Sequence, residues 1–151
     1  MTSAYWGLKF IKVTYIPINR YIKLAPLKGH IMIGYTTLGV KDLDAAKKFY
    51  TELFDAELLV DIGRLAMIGK DISEPKIAVC IPHNEEAATP GNGVMVAFPG
   101  GSKEGADKLY HKAISLGATC DGEPGQRIDG VFYGAYVKDA DGNKLCFFDF
   151  S

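Results

Sequence analysis

The chain has 151 residues, of which 48% are hydrophobic and 23% are charged, and its formal net charge is −1. This size and composition predict one ordinary soluble globular domain. No apolar run approaches the roughly 20 residues that cross a bilayer, and the N-terminus lacks the segment order of a secretory signal peptide. We therefore expect a cytoplasmic protein without a membrane partner.

The charge is distributed unevenly along the chain. Residues 1–30 carry five basic residues and no acidic residue, which leaves 12 of the 17 basic residues against all 18 acidic residues in the remainder. Binding to nucleic acid requires a basic face that neutralises phosphates. The acidic remainder therefore excludes nucleic acid as an expected partner.

Residues 1–31 form a basic segment that differs from the rest of the chain. A strand-like alternation over residues 11–15 is followed by Pro17 and Pro26, and prolines in such a pattern favour an edge strand or arm. Three interpretations remain open: an added strand or dimer-clasping arm, a membrane-surface segment, or sequence that precedes a natural start at Met32. The domain itself is predicted to span residues 32–151.

The first part of this domain, residues 32–84, predicts a strand, a helix and three further strands. Residues 33–40 form the first strand, Asp42 stands at the N-cap position of the helix, and Asp44 lies in its first turn. The apolar residues of the helix follow helical spacing: Leu43, Ala46, Phe49, Tyr50, Leu53 and Phe54. The shorter strands are predicted at residues 56–60, 64–68 and 76–81, before a polar loop at residues 82–93.

The same order returns about sixty residues later, in residues 92–151. A strand at residues 94–98 leads to a helix that Ser102 caps and Gly117 ends. Strands are predicted at residues 118–120, 131–138 and 144–150, and the turn DADGN at residues 139–143 joins the last two as a hairpin. The fold class is therefore α+β, with two tandem βαβββ modules that form a curved, cup-shaped mixed sheet with helices on the outside.

Two segments carry a resemblance to a known family. The sequences YTTLGVKDLDAAKKFY (residues 35–50) and GAYVKDADGNKLCFF (residues 134–148) resemble the glyoxalase, bleomycin-resistance and extradiol-dioxygenase superfamily, also called vicinal oxygen chelate proteins. The resemblance covers residues 32–151. It implies a cup-shaped sheet and a homodimer in which cups or modules associate across chains.

The resemblance also implies a divalent metal held by histidines and a glutamate, with one ligand from the first strand and one from the last strand of each module. The matching positions here are Tyr35, Ala78, Met95 and Cys146. None of these is a histidine or a carboxylate, and an alkyl group or a thioether binds a hard or borderline cation poorly. We therefore expect neither a metal ion nor another cofactor.

The side-chain parity of the strands predicts which residues line the cup. The predicted lining is apolar, soft and aromatic, and it suits an uncharged or flat organic ligand. The predicted ligand-binding residues are Tyr35, Thr37, Ala78, Cys80, Met95, Ala97, Phe132, Tyr136, Cys146, Phe148 and Arg127. The opposite parity predicts packing beneath the helices for Leu38, Val40, Ile77, Val79, Val96, Phe98, Leu145 and Phe147.

Three residues are candidates for catalysis: Tyr35, Tyr136 and His83. Tyr136 occupies the place where ring-cleaving members of the resembled family carry an active-site tyrosine, although an ordinary strand tyrosine with a packed ring and a solvated hydroxyl is the more common explanation. His83 falls in the loop between the modules, where a histidine is usually only solvated. Arg127 is predicted in a loop at the cup rim, where it either clamps a polar substituent or forms a surface ion pair with Asp129.

Two functions of different kinds fit these residues. The preferred one is metal-independent binding of a small hydrophobic or aromatic molecule, as in antibiotic-sequestering members of the resembled family. The alternative is a lyase, isomerase or dioxygenase of that superfamily. It would use an atypical metal site that includes Cys146 and His83, or Tyr35 and Tyr136 as acid and base.

Overall fold

The computed structural model describes residues 33–74 and 76–150, and the predictions for residues 1–32 lie outside this part of the chain. In the first module the elements are β1 (Tyr35–Gly39), α1 (Leu43–Phe54), β2 (Glu57–Asp61), β3 (Leu65–Gly69) and β4 (Lys76–Cys80). In the second they are β5 (Val96–Pro99), α2 (Lys103–Ser115), β6 (Thr119–Ile128), β7 (Phe132–Lys138) and β8 (Lys144–Asp149). The α+β class with two βαβββ modules is confirmed. No helix within the described residues is long and apolar enough to cross a membrane.

The residues predicted to cap the helices do so. The Asp42 side chain accepts a hydrogen bond of 2.9 Å from the backbone N–H of Ala45, and Ser102 Oγ accepts one of 3.1 Å from Gly105. These bonds satisfy N–H groups that the first turn of a helix otherwise leaves unpaired. At Gly105 a Cβ atom would collide with the carbonyl oxygen of Gly100, so glycine allows the loop before α2 to fold back onto its first turn.

The strands form two open, four-stranded mixed sheets, which fit the predicted curved cup. The strand order is β1-β4-β3-β2 in the first sheet and β5-β8-β7-β6 in the second. The β1–β4 and β5–β8 pairs are parallel, and all other pairs in these sheets are antiparallel. Since β1 and β5 each stand at the end of their order, each is an edge strand, and no ladder joins the two sheets within the described residues.

Strand β6 is longer than the sequence predicts. The strand expected at residues 118–120 extends over Thr119–Ile128, although Gly122, Pro124 and Gly125 interrupt its pattern. The pairing with β7 shifts register three times along β6. Bulges at a sheet edge absorb such residues without ending the strand. Arg127 consequently lies on a strand, and its predicted position in a loop is wrong.

The two modules share one hydrophobic core. The predicted burial beneath the helices is confirmed for Leu38, Val79, Leu145 and Phe147, which are at most 5% exposed, while Val96 and Phe98 are partly buried against the same core. The ring centroids of Phe54 in α1 and Phe98 in β5 are 4.4 Å apart. Each sheet therefore turns its helix-covered face toward the common core. The opposite face of each sheet is called its open face below.

A buried hydrogen-bond network joins the hairpin turn of the second module to the first module. The hydroxyl of Tyr50, which is fully buried in α1, donates a bond of 2.7 Å to Asp139 Oδ2. The Asn143 side chain donates to the carbonyl of Gly39 at 3.1 Å. At the surface, the backbone N–H of Lys41 also donates to Asp141 Oδ1 at 2.9 Å. Burial, followed by the neighbouring Asp139, raises the pKa of Tyr50, so this hydroxyl keeps its proton.

Candidate functional site

Three phenylalanines form an aromatic cluster on the open face of the second sheet. The ring centroids of Phe132 and Phe148 lie 5.8 Å apart and nearly parallel, and Phe150 lies 5.6 Å from Phe132 and 4.9 Å from Phe148. Phe132 and Phe148 were predicted to line the cup, and Phe150 was not. Phe150 is 71% exposed, so the cluster presents a large apolar surface to solvent.

Tyr136 lies further along β7 on the same face, beside two cations. The guanidinium carbon of Arg127 is 5.1 Å from the centre of the Tyr136 ring, and Lys144 Nζ is 5.0 Å from it. Both distances lie within the range of favourable cation–π contacts. Arg127 makes no ion pair with a described residue; its Nε donates to the carbonyl of Gly134 at 3.2 Å and its Nη2 donates to the carbonyl of Glu123.

A charged triad of Asp121, Lys138 and Lys144 completes this open face. Asp121 accepts ion pairs of 2.9 Å from Lys138 and 2.8 Å from Lys144. The hydrogen bond from Lys144, followed by that from Lys138, lowers the pKa of Asp121. The triad borders a cavity of about 680 Å³, which Met95 and the loop at residues 90–94 also line. Sequence reasoning missed the triad, although both lysines share the strand parity of Tyr136 and Cys146.

Cys146 lies at the centre of this face, directly opposite both Tyr136 and Ala97 in the ladders. Its side chain is fully buried, and burial raises the pKa of its thiol. The thiolate is the form of cysteine that binds metals and attacks electrophiles. Cys146 is therefore a neutral, apolar side chain packed beneath the surface of this face.

The remaining predicted lining residues lie on two different sheets. Thr37 lies opposite Ala78 in the first sheet, with Tyr35 and Cys80 at the two ends of the same strand pair. Tyr35 is 51% exposed, and Ala78 is fully buried. Met95 and Ala97 are exposed on the second sheet's side of the molecule.

Of these residues, Met95 and Ala97 each line a cavity of the single chain, whereas Tyr35 and Thr37 line neither of two such cavities. Neither Tyr35 nor Thr37 lines the cavity beside the triad, nor do they line a second cavity of about 550 Å³ between the modules. The second cavity lies on the helix side, among Phe54, Ile77 and Phe98. His83, the third catalytic candidate, is exposed in the loop between the modules.

The residues at the four positions implied by the resemblance do not fit a divalent metal. Ala78 offers no donor atom, Met95 offers only a thioether, and Cys146 is held as a neutral thiol by burial. Among residues 33–74 and 76–150, no group of three or more histidine, cysteine, aspartate or glutamate side chains is placed to hold a metal ion.

These features define a two-module βαβββ protein of the glyoxalase-like fold whose open faces carry aromatic, aliphatic and sulfur groups. The family model of the Glyoxalase/Bleomycin resistance protein/Dioxygenase superfamily matches residues 32–147. The chain belongs to this superfamily, as its sequence predicted.

Solved structures with similar folds agree with this assignment. A glyoxalase/bleomycin resistance protein from Albidiferax ferrireducens T118 is 31% identical, with 78% of this chain and 97% of that chain covered and a TM-score of 0.69. A glyoxalase/bleomycin resistance protein/dioxygenase family enzyme from Burkholderia phytofirmans PsJN is 21% identical, with 78% and 98% coverage and a TM-score of 0.67, and it shows the fold alone. The hypothetical protein SA1046 from S. aureus is 25% identical, with 80% and 94% coverage and a TM-score of 0.62. A comparison with curated proteins gave no match.

Proposed function

We propose that this protein binds a small hydrophobic or aromatic molecule without a metal ion or cofactor. The observation that carries the proposal is the aromatic cluster, which lies beside Tyr136 and Cys146 on a solvent-accessible sheet face. Flat aromatic ligands gain both burial and favourable ring contacts on such a surface. A cytoplasmic location stays a prediction.

We further propose that two copies of the chain build the binding cup as a homodimer. Along β1, the carbonyl of Gly34 and the N–H of Val40 form hydrogen bonds with β4. Backbone groups alternate in direction along a strand, so those of Tyr35 and Thr37 point away from β4 toward the free edge. In β5, Gly100 bonds to β8, so Ala97 likewise faces outward. Unpaired strand edges of this kind are templates for pairing with another chain.

The apolar side chains around these edges also support a dimer. Ile33 and Tyr35 are 58% and 51% exposed at the start of β1, and Val94 and Met95 are 57% and 44% exposed at the start of β5. Pairing β1 of one copy with β5 of the other would cover them. It would also place the open face of the first module beside that of the second, which completes the cup.

The enzymatic alternative has less support. A thiolate at Cys146 is disfavoured by burial. Tyr35 and Tyr136 lie on different sheets, and His83 is exposed in a loop. An acid–base pair of Tyr35 and Tyr136 would therefore have to form between two sheets.

Equilibrium dialysis with 2-naphthol, a flat and uncharged probe near pH 7, tests the binding function. We expect the native protein to bind it and Phe148→Ala to weaken binding about tenfold, because one ring of the aromatic cluster is lost. Ile62→Ala, which removes an exposed apolar side chain from another part of the surface, serves as the control and should bind normally.

Native mass spectrometry of the same samples reports metal content and oligomeric state. We expect a dimer without a stoichiometric divalent ion. Absence of naphthol binding, or equal binding by Phe148→Ala and the native protein, contradicts the proposal. A tightly held ion that Cys146→Ala releases would support the enzymatic alternative instead.

A further inference from the structure

The open face of the second sheet offers hydrogen-bond donors without a matching acceptor. A guanidinium carries five N–H donors, and the described residues engage those of Arg127 only through the carbonyls of Gly134 and Glu123. The Tyr136 hydroxyl makes no hydrogen bond with a described residue. The carboxylate of Asp121 already pairs with two lysines through its two oxygens.

The strands β6, β7 and β8 give this face an excess of positive charge. The charged triad carries two lysines and one aspartate, and Arg127 adds a further cation. The other strand carboxylates belong to the helix side. Asp149 lies opposite Tyr133, whose hydroxyl bonds to Asp107 on α2. Glu123 follows Gly122, which faces Tyr136, so strand alternation turns Glu123 to the other side. A ligand that complements this face is therefore an anion.

Two glycines, Gly122 and Gly134, leave the space that the side chains of this face occupy. A Cβ atom at Gly122 would lie 2.9 Å from the Tyr136 ring and 3.4 Å from Arg127 Nη2, and one at Gly134 would lie 2.9 Å from the Phe132 ring. Both substitutions would displace the side chains that form this face. The carbonyls of Gly134 and Glu123 and the Tyr136 ring already restrain the Arg127 guanidinium. The guanidinium therefore loses little conformational entropy when it binds an anion.

We propose that the ligand is an aromatic carboxylate, whose carboxylate group binds Arg127 and the Tyr136 hydroxyl while its ring packs on the aromatic cluster. This inference rests on the ligand-binding function proposed above. The planar guanidinium fork matches a carboxylate, which it binds through parallel N–H···O bonds. Phe148 lies opposite Gly134, which is two residues from Tyr136 on β7 and about 7 Å from it along the strand. A fused-ring acid therefore reaches from the cluster to Arg127.

Binding of 2-naphthoate and 2-naphthol to the native protein tests this inference, because the two probes share one ring system. We expect naphthoate to bind about tenfold more tightly than naphthol, and Arg127→Gln to remove that advantage while naphthol binding changes less than about twofold. Arg127→Lys keeps the positive charge and should retain part of the tighter binding of naphthoate. Arg64→Gln removes the same charge from an exposed turn of the first module, and it should leave both affinities unchanged.

The outcomes separate this inference from the function on which it rests. If naphthol binds as tightly as naphthoate, or if Arg127→Gln leaves naphthoate binding intact, the carboxylate assignment is wrong and the binding function stands. If neither probe binds, both proposals fail. Added salt should weaken naphthoate binding alone, since only that probe carries a charge.

Discussion

Asp139→Ala should lower the free energy of unfolding by about 3 kcal/mol, because it leaves several buried donors without an acceptor. Asp139 is 7% exposed and accepts four hydrogen bonds. Its Oδ2 receives the Tyr50 hydroxyl at 2.7 Å and the Asn143 side chain at 2.9 Å, and its Oδ1 receives two backbone N–H groups of the turn. The loss corresponds to roughly 10 °C in Tm for a domain of this size.

Urea unfolding monitored by far-UV circular dichroism measures this effect. Tyr50→Phe removes one of the four bonds and should cost only about 1 kcal/mol, since the ring still fills its site. Asp129→Ala, at an exposed position in the turn before β7, is the matched control and should be neutral. Equal midpoints for Asp139→Ala and Asp129→Ala would show that the turn does not lock the modules together.

Thr37→Pro should convert the proposed dimer to monomers. The N–H of Thr37 points away from β4, so proline at this position leaves the ladder within the chain intact and removes a donor only from the free edge. Proline removes a ladder bond and adds steric conflict worth about 3 kcal/mol, which raises the dimer dissociation constant about a hundredfold. Light scattering coupled to gel filtration measures the mass over a dilution series.

The isosteric variant Thr37→Val keeps the N–H and should remain dimeric. Ala97→Pro repeats the test on β5 and should also dissociate the dimer, and far-UV circular dichroism establishes that each variant is folded. If both proline variants are folded and remain dimeric at every dilution, then neither β1 nor β5 takes part in the interface.

Local sequence signals predicted the helices and the turn between β7 and β8. Asp42 and Ser102 cap their helices because a short polar side chain at that position can reach an unpaired N–H group without any help from tertiary structure. The turn at residues 139–143 also forms as predicted. Its buried network with Tyr50 was not foreseen, because an aspartate in a turn gives no local sign that another module will cover it.

For the candidate site, strand parity assigns a residue to a face but does not say which faces meet. Phe132, Tyr136, Cys146 and Phe148 lie together on one open face, whereas Tyr35 and Thr37 lie on the other sheet. The position of Arg127 was predicted wrongly because glycines and a proline hid the extent of β6. Its contacts with Tyr136 depend on bulges that sequence patterns do not reveal.

Short-range cross-linking between β1 and β5 tests most directly whether the cup forms between two copies. A background with Cys80→Ala, Cys120→Ser and Cys146→Ala removes the native thiols, and Thr37→Cys or Ala97→Cys is then introduced into separate chains. After subunit mixing and treatment with a short bismaleimide, we expect a covalent heterodimer on a denaturing gel. Internal cross-links in a chain that carries both substitutions, with no heterodimer from the mixed chains, would show instead that each chain closes its own cup.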